Sequence, residues 1–275
     1  MRNSISLRLS EYKSDPIIEY NKINELIHKN SYCYYGFCDI YIFFRYHFAN
    51  CKLLRSHYVS FDACLSDYEN NLRIYKDSCF KNLEKDNQIN LLNDYLDYCE
   101  LITYMHSNLY NLAHKNKIDL QLYSQLKDII ETGLRSMNYR VTIIDKKTKE
   151  TRVVKINEEA EIVAAQSQES IKDVILLYLG TRDNNIEDKK IYLHKFIDLL
   201  EPVLKKYNNE PISSVREYVQ LLRHPETKKN DQKYIWFYEN ESEYIDKLFS
   251  MCLFVQHYDI TKKTLKDFDQ NKTKI

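Results

Sequence analysis

The clearest alternation of apolar and polar side chains in this sequence covers residues 139–157, YRVTIIDKKTKETRVVKIN. Alternation with a period of two is typical of a β-strand that buries one of its faces. Residues 145–150, DKKTKE, supply a turn in the middle of the stretch, with Lys149 at the position where a left-handed residue is expected. The stretch therefore predicts one antiparallel hairpin in which Asp145 pairs with Glu150.

This pairing also predicts which side chains share each face of the hairpin, because paired residues point to the same side. The apolar face groups Tyr139, Val141, Ile143, Val154 and Ile156. The other face groups Arg140, Thr142, Thr151 and Lys155. A lone hairpin is marginally stable in water, so we expect the apolar face to pack on helices. An unpaired strand edge is expected to remain available to another chain.

Apolar residues elsewhere recur at the three- and four-residue spacing of amphipathic helices. The predicted fold is mainly α, a multi-helix bundle-like architecture with one central two-stranded β-hairpin. Continuous helices are predicted over residues 32–59, 86–115 and 158–179. A fourth helix begins at Asp119 and carries Gly133 near its end, where helices favour glycine.

The predicted organisation has three parts, which also fit one continuous domain. An N-terminal helical unit covers residues 1–137, a hairpin insert covers 138–157, and a C-terminal helical unit covers 158–275. The last predicted helix of the C-terminal unit spans residues 242–257, and a frayed lysine-rich tail follows Thr264.

Glycine is scarce, with 3 residues in the 275 of the chain. Phosphate-cradling loops and dinucleotide-binding folds need clustered glycines so that the backbone can approach the ligand. The sequence has no G-x-G and no G-K-S/T, which argues against P-loop and Rossmann-type enzymes. No cofactor is predicted.

The charge balance and the cysteines limit which partners and ligands the chain is expected to bind. Lys and Arg total 40, and Asp and Glu also total 40, so net charge does not indicate nucleic acid, which stays possible as a partner. The 7 cysteines form no C-x-x-C pair, and no H-E-x-x-H occurs, so no metal site is predicted. The sequence shows no signal peptide and no run long enough to span a bilayer. We therefore predict a cytoplasmic protein without a membrane partner.

Basic side chains supply the candidate binding residues. On the hairpin they are Arg140, Lys146, Lys147, Lys149 and Arg152. In the aromatic segment that precedes residue 60 they are Arg45, Arg55 and His57. The same segment is dense in aromatic side chains over residues 41–48, which allows an alternative function as a small-molecule sensor with an aromatic pocket.

Residues 215–225, VREYVQLLRHP, carry an alternative catalytic hypothesis, in which Arg216, Arg223 and His224 form the site. A helix that ends in Arg-His beside a polar loop resembles the HEPN family. The resemblance implies a helical bundle and an RNA-binding or ribonuclease activity. The family usually places Arg and His closer together than Arg216 and His224, which seven residues separate.

The leading hypothesis from the sequence is a non-enzymatic helical protein–protein interaction module, with another protein or a second copy of the chain as partner. The absence of every familiar catalytic pattern motivates it. So does the abundance of tyrosine, with 24 residues against 11 Phe and 1 Trp, because tyrosine suits half-buried positions in interfaces. A component or inhibitor of a bacterial or phage conflict system, such as phage defence, is the suggested context.

Overall fold

The computed structural model describes residues 15–29, 39–116, 118–145, 147–223 and 239–272. Within these residues the chain forms eleven α-helices and one two-stranded antiparallel hairpin. The predicted mainly α fold with a central hairpin is confirmed. The contacts divide the described residues into two compact units, one ending at Lys155 and the other beginning at Ile156. The hairpin belongs to the first unit.

The first unit contains six helices followed by the hairpin. The helices are α1 (Pro16–Ile27), α2 (Ile40–His47), α3 (Lys52–Arg55), α4 (Phe61–Ile74), α5 (Lys85–Lys115) and α6 (Leu120–Ser136). The strands are β1 (Tyr139–Asp145) and β2 (Glu150–Lys155). Aspartate carboxylates accept hydrogen bonds from the first backbone amides of α1, α2 and α6, which stabilises these helix starts.

Helix α5 is the centre of the first unit. One side of this 31-residue helix is buried along its length, with Tyr95, Cys99, Ile102, Met105 and Leu109 at helical spacing. Helices α1, α4 and α6 and strand β2 all pack against it. The long helix predicted over residues 86–115 is confirmed, because this apolar stripe is unbroken in the sequence.

The single helix predicted over residues 32–59 is wrong in its described part, and residues 32–38 lie outside the described residues. Helix α2 ends at His47, a 3-10 turn follows, and Cys51 leaves helical geometry with φ −89° and ψ 79°. The Asn50 side chain donates to the His47 carbonyl at 3.2 Å. Such a local bond competes with the helical ladder, and composition alone does not reveal it.

The turn of the hairpin is as predicted, whereas the predicted faces are wrong. Asp145 pairs with Glu150, and Lys149 has a left-handed φ of 55°. A bulge between Ile143 and Asp145 shifts every later pair by one residue, so that Val153 lies opposite Val141. One extra residue in a strand shifts the pairing by one position. The side chains of the partner strand that were predicted on one face of the hairpin therefore lie on the other face.

Strand β2 lies against α5 as a result. Val153 is fully buried, and its amide donates to the Glu100 carboxylate at 2.6 Å. The Thr151 hydroxyl donates to the Glu100 carbonyl at 3.4 Å. Helix α5 thus occupies the outer edge of β2, whereas the sequence predicts an unpaired strand edge that stays available to another chain.

The second unit contains five helices. They are α7 (Glu158–Gln166), α8 (Glu169–Gly180), α9 (Ile186–Lys206), α10 (Ile212–Arg223) and α11 (Glu241–Lys272). The single helix predicted over residues 158–179 is wrong, because Ser167 is extended with φ −95° and ψ 165°. The Gln256 side chain of α11 donates to the Ser167 hydroxyl at 3.1 Å, a contact from a distant part of the chain.

Helix α11 is the element that departs most from prediction. The predicted helix stops at residue 257 and a frayed tail follows, but the structure continues the helix to Lys272. Its first half packs on α7, α9 and α10, whereas residues 261–269 are all exposed.

Gly133 lies inside the last turn of α6 and does not terminate the helix. A Cβ atom at this position would lie 2.8 Å from the Tyr95 hydroxyl and 3.0 Å from Glu19 Oε2. Tyr95 is fully buried, and Glu19, which borders a hollow, is held by an ion pair with Lys22 at 2.8 Å. Close packing between α1, α5 and α6 therefore requires glycine here.

We expect Gly133→Ala to lower the free energy of unfolding by about 1–3 kcal/mol, the usual cost of overpacking. Alanine in a helix is about 1 kcal/mol more favourable than glycine. A net loss of stability in Gly133→Ala would therefore show that the steric clash of the added Cβ atom is the larger effect. Urea denaturation measures the change. Thr132→Ala, at the exposed neighbouring position, is the control and should be neutral or stabilising. A variant Gly133→Ala that is more stable than the parent would contradict the packing described.

Candidate interaction surface

Lys149 and Arg152, two of the basic residues predicted on the hairpin, make contacts within the first unit. Lys149 donates to the Ser107 carbonyl of α5 at 3.2 Å. Arg152 pairs with Glu150 at 3.7 Å, and Arg140 is half-buried. Lys147 is exposed. Lys146 lies outside the described residues.

Arg45 and Arg55, two of the basic residues predicted in the aromatic segment, also make contacts within the first unit. Arg45 pairs with Asp62 at 3.0 Å, and the same carboxylate accepts a hydrogen bond from the Tyr41 hydroxyl at 2.5 Å. The Arg55 guanidinium donates to the Val59 carbonyl. His57 is exposed. These contacts join α2 to α4 and α3 to the loop that precedes α4.

Three aromatic side chains of the same segment, Phe43, Phe44 and Phe48, lie in the core of the first unit, whereas Tyr46 is 73% exposed. Phe43 and Phe44 are fully buried, and their rings contact the ring of Tyr123 at 6.0 and 6.2 Å. Phe48 is buried and contacts Phe61. The aromatic density predicted as a ligand pocket is used here for packing between rings.

The predicted catalytic arginines contact their own unit. The Arg216 Nε donates to the Leu204 carbonyl at 2.6 Å, and its Nη2 donates to the Tyr207 carbonyl and to Asn208 Oδ1. Arg216 thereby satisfies backbone carbonyls at the end of α9, where a positive charge is favourable. Arg223 pairs with Asp198. His224 lies outside the described residues.

Sequence reasoning missed a buried lysine in the second unit. Lys189 is buried between the carboxylates of Asp183 and Asp246, at 2.8 and 3.0 Å. Burial alone would lower the pKa of Lys189, but these two carboxylates outweigh it and raise that pKa. The Tyr178 hydroxyl also donates to Asp246 at 2.6 Å. These hydrogen bonds and ion pairs connect α8, α9 and α11.

Sequence reasoning also missed a buried carboxyl group in the first unit. Glu69 of α4 is buried beside the hydroxyl groups of Tyr20 and Tyr98, whose rings are 5.2 Å apart. Burial raises the pKa of Glu69, while Arg73 and the two hydroxyls oppose the rise. Nothing local in the sequence distinguishes Glu69 from the exposed carboxylates around it.

The described thiols do not offer nucleophiles in the core. Burial raises the pKa of Cys51, Cys64 and Cys252 to about 12, which keeps these thiols protonated at neutral pH. Cys99 is buried as well, as its place on an apolar stripe predicts. Within the described ranges, no three His, Cys, Asp or Glu side chains form a group that could hold a metal ion. None of the described helices is both long and apolar enough to cross a membrane.

The inner side of α11 is fixed by a charged contact. Asp259 is buried, and its carboxylate accepts hydrogen bonds from Lys206 at 2.9 Å and Tyr207 at 3.0 Å, and pairs with Lys263 at 2.6 Å. Burial alone would raise the pKa of Asp259, but these donors lower it. The contact sets which side of α11 faces its own unit and which side faces away.

The outer side of α11 is largely apolar and partly exposed. At alternating spacings of three and four residues it presents Met251, Phe254, Tyr258, Thr261, Leu265 and Phe268, which we call the α11 outer stripe. Met251 and Tyr258 are half-buried and pack against the core of their own unit, whereas the other four residues are exposed. The exposed fraction is 39% for Phe254, 53% for Leu265 and 64% for Phe268. Because Leu248, Cys252 and Val255 are buried on the inner side, α11 carries apolar side chains on two sides, and the other helices of its unit cover only the inner one.

A hollow of about 230 Å³ adjoins the α11 outer stripe, between α10 and α11. Its lining is almost wholly apolar: Pro211, Ser214, Val215, Tyr218, Met251 and Phe254. Apolar cavities of about 150 Å³ are large enough to hold a benzene ring. The hollow and the stripe share Met251 and Phe254, so they form one continuous surface, the candidate site of this chain.

No known protein family, no curated protein and no solved structure matches this chain in comparison.

We expect Glu69→Gln to raise the melting temperature at pH 7, because it removes a carboxylate from a buried position. The raised pKa of Glu69 means that folding favours its protonated form. Its contribution to stability is therefore complete below the unfolded value of 4.5 and is lost as pH rises through the folded pKa. The gain of the variant should shrink toward pH 4, measured by thermal melts across pH. The exposed Glu25→Gln should show no such trend, and a pH-independent gain would contradict the assignment.

We expect Arg216→Ala to lower the free energy of unfolding by about 1–3 kcal/mol, because carbonyls at the end of α9 lose their donor. Chemical denaturation tests this. Lys205→Ala removes an exposed charge from the same turn and should cost less than about 1 kcal/mol. Equal effects of the two substitutions would show that the contacts of Arg216 do not stabilise the unit.

Proposed function

We propose that this chain is a non-enzymatic protein–protein interaction module that binds an amphipathic helix of a partner chain. The α11 outer stripe and the adjoining hollow form the binding surface. The observation that carries the proposal is the row of exposed Phe254, Leu265 and Phe268 at helical spacing on α11.

The spacing of the stripe supports a helix as the bound element. Alternation of three and four residues is the pattern with which one helix packs along another, and an apolar groove beside it receives large side chains. Exposed apolar side chains that stand singly are ordinary on a protein surface, whereas a continuous row beside an apolar hollow is typical of an interaction site.

The polar contacts beside the surface support binding without catalysis. Lys206 and Lys263 both pair with the buried carboxylate of Asp259 on the inner side of α11. The hollow itself is lined by carbon-rich side chains. Burial of such side chains is the dominant favourable contribution in most protein–protein association.

A labelled helical peptide tests the proposal. An 18-residue peptide with Phe and Leu at the three- and four-residue spacing is titrated with the full chain from nanomolar concentration, and fluorescence anisotropy measures binding. We expect saturable binding, and no binding of a scrambled peptide of equal composition. Phe254→Asp should weaken binding about tenfold or more, as loss of an aromatic anchor does.

Val59→Asp is the matched control, since Val59 is a highly exposed apolar residue that belongs to the first unit. It should leave the affinity unchanged. Equal binding of the ordered and scrambled peptides, or equal affinity of the parent and Phe254→Asp, would refute the proposed function.

A further inference from the structure

We infer that the partner helix is α11 of a second copy of this chain, paired antiparallel, with Phe268 of each copy beside the hollow of the other. This inference rests on the proposed function and names the partner of that surface. It follows from the order of residues along the α11 outer stripe.

The stripe has the heptad spacing of a two-stranded coiled coil. Met251, Tyr258 and Leu265 occupy one core position, and Phe254, Thr261 and Phe268 occupy the other. In an antiparallel pair, residues of one core position pack in the same layer as residues of the other core position. The six residues extend along ~26 Å of helix at the rise of about 1.5 Å per residue.

One antiparallel register matches the stripe with itself. With the two-fold axis between residues 259 and 260, Met251 lies opposite the second copy's Phe268. In the same register Phe254 lies opposite the second copy's Leu265, and Tyr258 opposite its Thr261. The exposed apolar side chains of the stripe, Phe254, Leu265 and Phe268, then each lie opposite an apolar side chain of the second copy. This is the self-complementarity that a two-fold interface requires.

The position of the hollow favours an antiparallel pair of helices over a parallel pair. A parallel pair would set Met251 and Phe254 of the two copies against each other, so that hollow faces hollow and stays unfilled. The antiparallel register instead brings Phe268, the most exposed aromatic side chain of the stripe, to Met251 at the edge of the hollow. Flanking His257 and Thr264 then face each other across the pair, so no like charges meet there.

Self-pairing also explains how the outer end of α11 is stabilised. Residues 261–269 are all exposed; Lys263, Thr264 and Asp267 border a hollow on the inner side of α11, and Leu265 and Phe268 on the outer side are uncovered. Short helices without tertiary contacts are marginal in water. In the inferred dimer this segment lies along the part of the second copy's α11 that borders the hollow, so each copy supplies the contacts that the other lacks.

Multi-angle light scattering with a reducing agent present tests the inference through paired substitutions. The parent chain should have twice the 33.2 kDa monomer mass at micromolar concentration. Leu265→Glu and Phe254→Lys should each be monomeric. The double variant Leu265→Glu/Phe254→Lys should recover the dimer at the highest concentrations, because this register places the introduced carboxylate of one copy opposite the introduced ammonium group of the other.

Three controls keep the test decisive. Circular dichroism confirms that each variant keeps its helices, and Val59→Glu should remain a dimer. The double variant Leu265→Glu/Phe268→Lys should stay monomeric, since Phe268 faces Met251 in this register. Recovery in that variant instead would overturn the register.

A parent chain that stays monomeric at every concentration would overturn self-pairing. If the labelled peptide still bound to that monomer, the proposed function would stand and only the identity of the partner would fail. If neither dimer nor peptide complex formed, both would fail.

Discussion

Burial of apolar side chains along α5 and α11 is the interaction on which the two units depend. In the first unit, α5 is covered by α1, α4, α6 and β2, so its stripe is completely enclosed by its own chain. In the second unit, α7, α9 and α10 cover the inner side of α11, and the outer stripe is left exposed. The apolar stripe of α5 is thus enclosed within its unit, whereas part of the α11 outer stripe remains exposed.

Much of the fold was predictable because amphipathic periodicity is a local property. The stripe of α5 and the turn around Lys149 are both visible in the sequence. The errors arise from contacts between distant residues or from single-residue irregularities. The bulge after Ile143 shifts the register of the hairpin, and the extended backbone at Ser167 is held by Gln256. Periodicity contains neither kind of information.

The candidate site was less predictable than the fold. The basic residues chosen from sequence include Lys149 and Arg45, and their partners Ser107 and Asp62 are visible only in three dimensions. The outer stripe was missed because the predicted helix ended at residue 257, before Leu265 and Phe268. Their spacing from Phe254 was nevertheless present in the sequence. A search for apolar residues on both sides of α11 would have found it.

Each unit contains at least one buried cysteine, and the rate at which its thiol reacts reports the opening of that unit. Cys51, Cys64 and Cys99 are enclosed in the first unit, and Cys252 is enclosed in the second. A thiol-specific reagent can reach these sulfur atoms only when the surrounding helices separate. Labelling rates resolved by residue therefore record the opening of the two units independently, without any engineered probe.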